Sequence, residues 1–176
     1  MNENEFGGWN GVKRTCLNHE DIEIFLELHD ESIFIVQIDS AERNEKGYDV
    51  IDPIKSNNHN YCELVIDNVS LKINEWLGGK FDSRTAFAVC VEEIEAWLLT
   101  RFFDNTSKFT NPKQKFEYEF NKKLSKSEVK SMSEKSVFKK YHSLSKPFSK
   151  KKDLPKYARN NLSFNKFYEQ LIFFDN

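Results

Sequence analysis

The sequence predicts an α/β fold: a parallel sheet of few strands sandwiched by helices, followed by a basic, helical C-terminal extension. Three observations carry that expectation. Segments 32–39 (SIFIVQID) and 85–91 (TAFAVCV) are short, near-continuous apolar runs rich in β-branched residues, the pattern of strands buried on both faces. Stretches with helical periodicity precede and follow each run, and such alternation marks a parallel sheet with helical crossovers. Finally, the charge changes sign along the chain. Residues 1–104 carry 9 Lys and Arg against 21 Asp and Glu, a net −12, whereas residues 105–176 carry 17 against 7, a net +10. The expected organisation is therefore an α/β core over residues 1–104 and a basic helical extension over 105–176, packed on that core.

In chain order, Asn18 is the expected N-cap of a first helix, in which Ile22, Phe25, Leu26 and His29 recur at helical spacing. The first strand ends at Asp39, and polar residues follow through Asn60. A second helix is expected from Asn60 to Leu77, with Tyr61, Leu64, Val65, Val69, Ile73, Trp76 and Leu77 on its apolar face. Gly78 and Gly79 close it. The second strand, Thr85 to Val91, runs into Glu92 and Glu93 and then into an apolar helix from Ile94 to Phe103. Beyond residue 105, Pro112 opens a helix over 113–124, and Val137, Phe138, Tyr141 and Leu144 line another. Leu162, Phe167 and Leu171 line a last helix with Ser163 at its cap. The Lys150-Lys151-Lys152 run between Pro147 and Pro155 reads as an exposed connection.

Composition narrows the function classes. With 39% hydrophobic and 31% charged residues, and 16 Phe, the 176-residue chain is that of a folded protein. No apolar run approaches the roughly 20 residues that span a bilayer, so no membrane association is expected. The N-terminus lacks the charged-then-apolar order of a signal peptide. Three cysteines without framework spacing fit a reducing cytoplasm. Neither a Walker-type glycine loop nor a Ser/His/Asp order is present.

Ligands of open parallel sheets bind outside the carboxyl ends of the strands. The first strand ends there in Asp39, with Glu42 three residues on. The second ends in Glu92 and Glu93, with Glu95 in the next turn. Carboxylates gathered in this way repel one another unless a cation lies between them. Mg²⁺ suits the position, with Mn²⁺ as a substitute, because it takes oxygen ligands and needs only one or two carboxylates beside water and phosphate. A competing reading is that acids in a helix's first turn merely complement the macrodipole, worth about 0.3–1 kcal/mol each. Cys16-x-x-His19 and His59-x-x-Cys62 offer two mirrored zinc-capable pairs, although both lie at expected helix starts. His142, among Lys and Tyr, reads as a surface residue. Lys122, Lys123, Lys139, Lys140, Lys150, Lys151, Lys152, Lys156 and Arg159 interleave with Phe and Tyr in the basic half. They would neutralise phosphates while aromatics stack on bases, or they are the solvated face of helices whose core is aromatic.

Three segments carry a resemblance. FIVQIDSAE resembles the Toprim strand with its Asp-x-Asp pair. VEEIEAWLL resembles the Glu-Ile-Glu-Ala-Trp-Leu-Leu signature of small bacterial Toprim-like proteins of uncharacterised function, and NLSFNKFYEQL resembles a segment near their C-termini. The resemblance implies a Mg²⁺-dependent nuclease or related phosphoryl-transfer protein acting on nucleic acid, of a type found in phage-defence and mobile-element systems. Asp39 would be the first Asp of the pair. Glu93 and Glu95 would be the paired glutamates, and Asp39, Glu42 and Glu93 the metal ligands. Lys139, Lys140, Lys150, Lys151, Lys152 and Arg159 would contact nucleic acid.

The resemblance departs at two points. Phe6-Gly7-Gly8-Trp9 leads almost at once into the first helix, so no apolar strand ending in Glu is found, and Glu3 and Glu5 follow none. Ala41 stands where the second Asp belongs, with only the offset Glu42 nearby. A catalytically degenerate partner or sensor subunit, completed by another protein of the same operon, is therefore an alternative expectation. A plain nucleic-acid-binding module is a third.

Overall fold

The computed structural model describes residues 8–53, 60–123, 141–142 and 144–175. Helices α1 (Gly8–Leu17) and α2 (His19–Leu28) precede strand β1 (Phe34–Asp39), and α3 (Tyr61–Trp76) connects it to β2 (Thr85–Cys90). Then come α4 (Glu95–Leu98), α5 (Pro112–Lys123), α6 (Leu154–Ala158) and α7 (Leu162–Asp175). The chain is thus mixed α/β. Among the described residues its sheet has two strands, paired in parallel from Phe34 opposite Thr85 to Asp39 opposite Cys90.

The two faces of this sheet bury different sets. Val36, Ile38 and Val89 join Trp9 and Cys16 of α1, Ile22 and Leu26 of α2, and Val65, Val69 and Ile73 of α3. On the other face Ala88 and Cys90 join Trp97, Ala158 and Phe164. Small residues on this face of β2 leave room for the Trp97 ring, which stacks on Phe164 at 4.7 Å between centroids and on Phe167 at 5.6 Å. The indole N–H of Trp97 donates to Ser163 Oγ at 2.7 Å, so its polar edge is satisfied inside the core. A third cluster, Leu98, Leu99, Phe116 and Leu144, holds α5 against α4.

The edges of the sheet differ as well. On the far side of β2 lies α7, whose Gln170 amide stands in for a neighbouring strand. The backbone N–H of Phe87 donates to Gln170 Oε1 at 2.8 Å, and Gln170 Nε2 donates to the Phe87 carbonyl at 3.2 Å. No strand lies beyond β1 among the described residues.

Several expectations from the sequence are corrected. β1 was expected to be buried on both faces; Val36 and Ile38 are buried, but Ile35 is 47% exposed and Gln37 is exposed. Among the described residues β1 has only β2 beside it, and helices pack over the face of Val36 and Ile38 while Ile35 and Gln37 on the other face are exposed. The apolar helix expected from Ile94 to Phe103 is a single α-turn followed by a 3-10 turn, Leu99–Arg101. The Thr106 hydroxyl donates to the Ala96 carbonyl at 2.7 Å and the Thr100 hydroxyl to the Trp97 carbonyl at 2.6 Å. These bonds take acceptors that a continuing helix would use. Helix α1 was not expected, because it buries only Trp9 and Cys16 and contains Gly8 and Gly11. The cap of α7 is Asn161 rather than Ser163: Asn161 Oδ1 accepts the Phe164 N–H at 3.0 Å.

Helix α3 ends as expected. Gly78 and Gly79 adopt φ +65° and +64°, and their N–H groups donate to Glu75 and Asn74 carbonyls, closing the last turn. A Cβ at Gly78 would lie 3.1 Å from His19 Cε1.

Replacing Gln170 by Ala leaves a half-buried N–H and C=O of Phe87 unpaired. We expect a loss of about 1–3 kcal/mol in urea unfolding, against a change within about 0.5 kcal/mol for the exposed neighbour Glu169→Ala.

Candidate functional site

The site is built by the two loops that leave the carboxyl ends of β1 and β2, and these loops are bonded to each other. The Glu92 N–H donates to Ser40 Oγ at 2.8 Å, and the Ala41 N–H donates to the Glu92 carbonyl at 3.1 Å. Glu92 itself sits at φ +63°, a left-handed conformation that costs a residue with a β-carbon about 1–2 kcal/mol. The fully buried Ser40 holds it there. Arg43, 4% exposed, braces the same junction. It donates to the Ser40 carbonyl at 2.8 Å, to Tyr61 Oη at 2.7 Å and to Asp52 at 2.8 Å, with Glu92 at 4.0 Å. Tyr61 in turn donates to Glu92 Oε1 at 3.2 Å. The Glu92 carboxylate is therefore part of a brace that also anchors the start of α3.

Glu93 and Glu95 are turned elsewhere. Glu93 Oε2 accepts the Lys113 backbone N–H at 3.0 Å, tying the second loop to the start of α5. Glu95 is 5% exposed and accepts a hydrogen bond from the Tyr141 hydroxyl. Burial and that carboxylate push the Tyr141 phenol well above its ordinary range. Asp39 lies between these elements. Its carbonyl accepts the Trp9 indole N–H at 2.8 Å, and its carboxylate accepts Gln37 Nε2 at 3.3 Å. Desolvation pushes the Asp39 carboxyl up to about 6. The Cys90 thiol and the Ile94 backbone amide, which hydrogen bond to it, oppose this, and the charges of Glu95 and Glu93 add to it. Burial, with the Asp39 charge next, also drives the Cys90 thiol well above its usual range.

Asp39, Glu42 and Glu93 line one cleft of about 250 Å³, with Gly8, Trp9 and Gln37 also on its wall. The structure therefore brings to one cleft the three residues that the resemblance marks as metal ligands, while Glu95 is buried and outside its lining. Among the described residues no three His, Cys, Asp or Glu side chains draw close enough to form a ready-made metal cage. The donor set suits an ion that keeps most of its waters and takes one or two carboxylates, as Mg²⁺ does. A half-desolvated carboxylate flanked by two others is also a place where a cation removes repulsion.

Of the two zinc-capable pairs, the three described members, Cys16, His19 and Cys62, form no metal-holding group. Cys16 is buried, and burial pushes its thiol up to about 11. His19 Nε2 bonds the Trp76 carbonyl at 2.8 Å, and the Cys62 thiol donates to the Ser107 carbonyl at 3.2 Å. His59 lies outside the described residues. Of the basic residues, Lys150, Lys152 and Arg159 are exposed, and Lys151 is exposed and paired with Asp175. Lys139 and Lys140 lie outside the described residues. His142 is exposed. The aromatics of this half, Phe116, Phe148, Tyr157, Phe164 and Phe167, are in or against the core clusters.

Sequence reasoning missed Arg43, Tyr61, Tyr141 and Trp9. Tyr61 and Tyr141 act through polar tips on aromatic rings that periodicity assigns to the core, and Trp9 lies on a helix that was not expected. Arg43 had one legible signal, a cation placed, with Lys46, inside an acidic stretch. No family model matches the chain, and neither a curated protein nor a solved structure does. What the fold and cleft define is a small α/β protein with an acidic, strand-end cleft.

The raised Asp39 carboxyl sets a sign for pH dependence. Between its ordinary 3.8 and about 6 the folded state holds a proton that the unfolded state lacks, so stability falls as pH rises through that window. Asp39→Asn removes the penalty. The variant is expected to melt about 2–4 °C above wild type near pH 7.5, and the gap should close as pH falls toward 4. Calorimetric melting across this range checks it; an equal gap at both ends would show that Asp39 is not the titrating group.

Proposed function

We propose that the protein is a Mg²⁺-dependent nuclease, or a related phosphoryl-transfer protein acting on nucleic acid, of the Toprim-like type. The observation that carries this reading is the shared cleft: Asp39, Glu42 and Glu93 line one opening at the carboxyl ends of parallel strands, where ligands of such sheets bind. Asp39 and Glu93 would hold Mg²⁺, with Glu42 on the rim. Bound there, the ion would polarise a phosphodiester and lower the pKa of a coordinated water. Glu95, buried and held by Tyr141, contributes negative charge behind Asp39 and favours the cation. Trp9 and Ser40 fix the backbone on either side of the Asp39 side chain, so that the carboxylate is presented by a braced strand end. Exposed Lys150, Lys152 and Arg159 would contribute charge toward a nucleic-acid backbone.

A second reading has its own observation. Ile35 on β1 is 47% exposed, and no strand covers that edge among the described residues. A partner protein adding a strand there would make the chain a non-catalytic subunit of a larger assembly.

Calorimetric titration with Mg²⁺ or Mn²⁺, followed by cleavage of labelled DNA and RNA, tests the first reading. Asp39→Ala should abolish metal binding and lower cleavage by more than about a hundredfold, beyond the roughly 10- to 100-fold expected of a residue that only orients a ligand. A wild-type protein that binds neither ion sinks the self-contained enzyme. A stable complex with a strand-donating partner and no cleavage would establish the second reading.

A further inference from the structure

The edge of β1 that faces away from β2 offers backbone groups in a defined row. The Phe87 N–H and C=O point outward from β2, to Gln170. In a parallel pair with Phe87 opposite Val36, that alternation turns the groups of Val36 and Ile38 toward β2 and those of Ile35 and Gln37 away from it. The row ends at the Asp39 carbonyl, which accepts the Trp9 indole N–H at 2.8 Å. Among the described residues no hydrogen bond reaches the backbone N–H or C=O of Ile35 or Gln37. Natural sheets blunt such an edge with charged side chains, proline or a bulge. Residues 33–38 hold neither charge nor proline, and their pairing with β2 runs from Phe34 through Ile38 without interruption.

This edge runs into the acidic cleft, since Gln37, Ile38 and Asp39 belong to both. The cleft wall adds Glu42 and Glu93, and its described lining holds no Lys, Arg or His. Side chains alternate along a strand, so the exposed Ile35 and Asp39, four residues on, share one face of β1. A strand laid along the edge sets one side chain beside Ile35 and another, four residues away, beside three carboxylates. An apolar residue suits the first place and a cation the second. A second copy of β1 does not supply that cation: residues 30–42 contain Asp30, Glu31, Asp39 and Glu42 and no Lys or Arg. Charge complementarity therefore selects a basic segment of a different protein.

We propose that β1 binds an extended segment of another protein, added as a strand, with a Lys or Arg of that segment in the Asp39–Glu42–Glu93 cleft. The assignment names the partner of the strand-adding reading above and rests on it. Backbone bonds to Ile35 and Gln37 supply the affinity. The cleft fixes the register, because a slip of one residue turns the cation to the opposite face.

The test is fluorescence anisotropy with the full chain and labelled peptides of about nine residues, rich in valine and threonine, with an apolar centre and arginine at each end. Either strand direction then repeats the Ile35-to-Asp39 spacing. The arginine peptide should bind, and its counterpart with glutamate at the ends should bind at least about tenfold more weakly. Glu42→Lys should weaken the arginine peptide. Gln37→Pro should abolish binding, because it removes an outward N–H and leaves the pairing with β2 in place, whereas Gln37→Ala should keep it. Circular dichroism confirms that the variants fold. The same bonds are tested on the unaltered protein by two arginine peptides N-methylated on alternate amides, one along each edge; one of the two should fail to bind. Equal binding of the arginine and glutamate peptides, both lost in Gln37→Pro, overturns the cationic partner and keeps strand addition. Binding that survives both Gln37→Pro and methylation of either edge, or no binding of any peptide by wild type, overturns strand addition and the partner with it.

Discussion

The arrangement at the carboxyl end of the sheet depends on one buried hydroxyl. Ser40 accepts the N–H of Glu92 and so holds a left-handed residue in place. Its carbonyl, at the same time, accepts from Arg43. Two parallel strands diverge into loops that nothing in the ladder itself joins. Ser40, with the reciprocal Ala41–Glu92 bond, makes them one unit. Arg43 extends that unit to Tyr61 and Asp52, bringing the start of α3 under the same control. Because Arg43 is buried with acceptors around its fork, its charge is matched by hydrogen bonds and carboxylates, as a buried guanidinium requires. The positions of Asp39, Glu93 and the wall of the cleft follow from that junction.

Electrostatics then separates residues that look alike in the sequence. Glu92, Glu93 and Glu95 lie within four residues, yet Glu92 pairs with Tyr61 and Arg43, Glu93 caps the approach of α5, and Glu95 is buried against Tyr141. Their spacing around a left-handed kink and one helical turn points each carboxylate to a different neighbour. Asp39, at the end of the other strand, has no cationic partner among the described residues, and its desolvation raises its carboxyl. Native chains keep such an unbalanced acid where the imbalance serves a ligand, and structural ion networks can raise a carboxyl too.

Much of this was legible in the chain. Both strands ended within one residue of where apolar runs met carboxylates, and α3 ended at the double glycine, because these features depend on local pattern and backbone chemistry. The general rule that ligands gather at strand ends marked Asp39 and Glu42 at one strand and Glu92, Glu93 and Glu95 at the other, and of these five Asp39, Glu42 and Glu93 line the cleft. What the pattern hid depends on distant partners. Thr106 cuts short the helix after Glu95 by taking the Ala96 carbonyl ten residues away. Arg43 and Tyr61 meet across an 18-residue gap. The open face of β1 could not be read from SIFIVQID, because an apolar run says that a strand is fit for burial, while the number of neighbouring strands decides whether it is buried.

The Gln170 amide has a consequence for how copies of the chain can associate. A sheet with two free edges polymerises without limit, since each added copy presents a fresh edge. By occupying the outer edge of β2 with a side chain, the molecule leaves one sheet edge without a neighbouring strand among the described residues, the one along β1. A sheet open at one edge only can pair but cannot extend, so a single glutamine closes the route to edge-to-edge growth through β2.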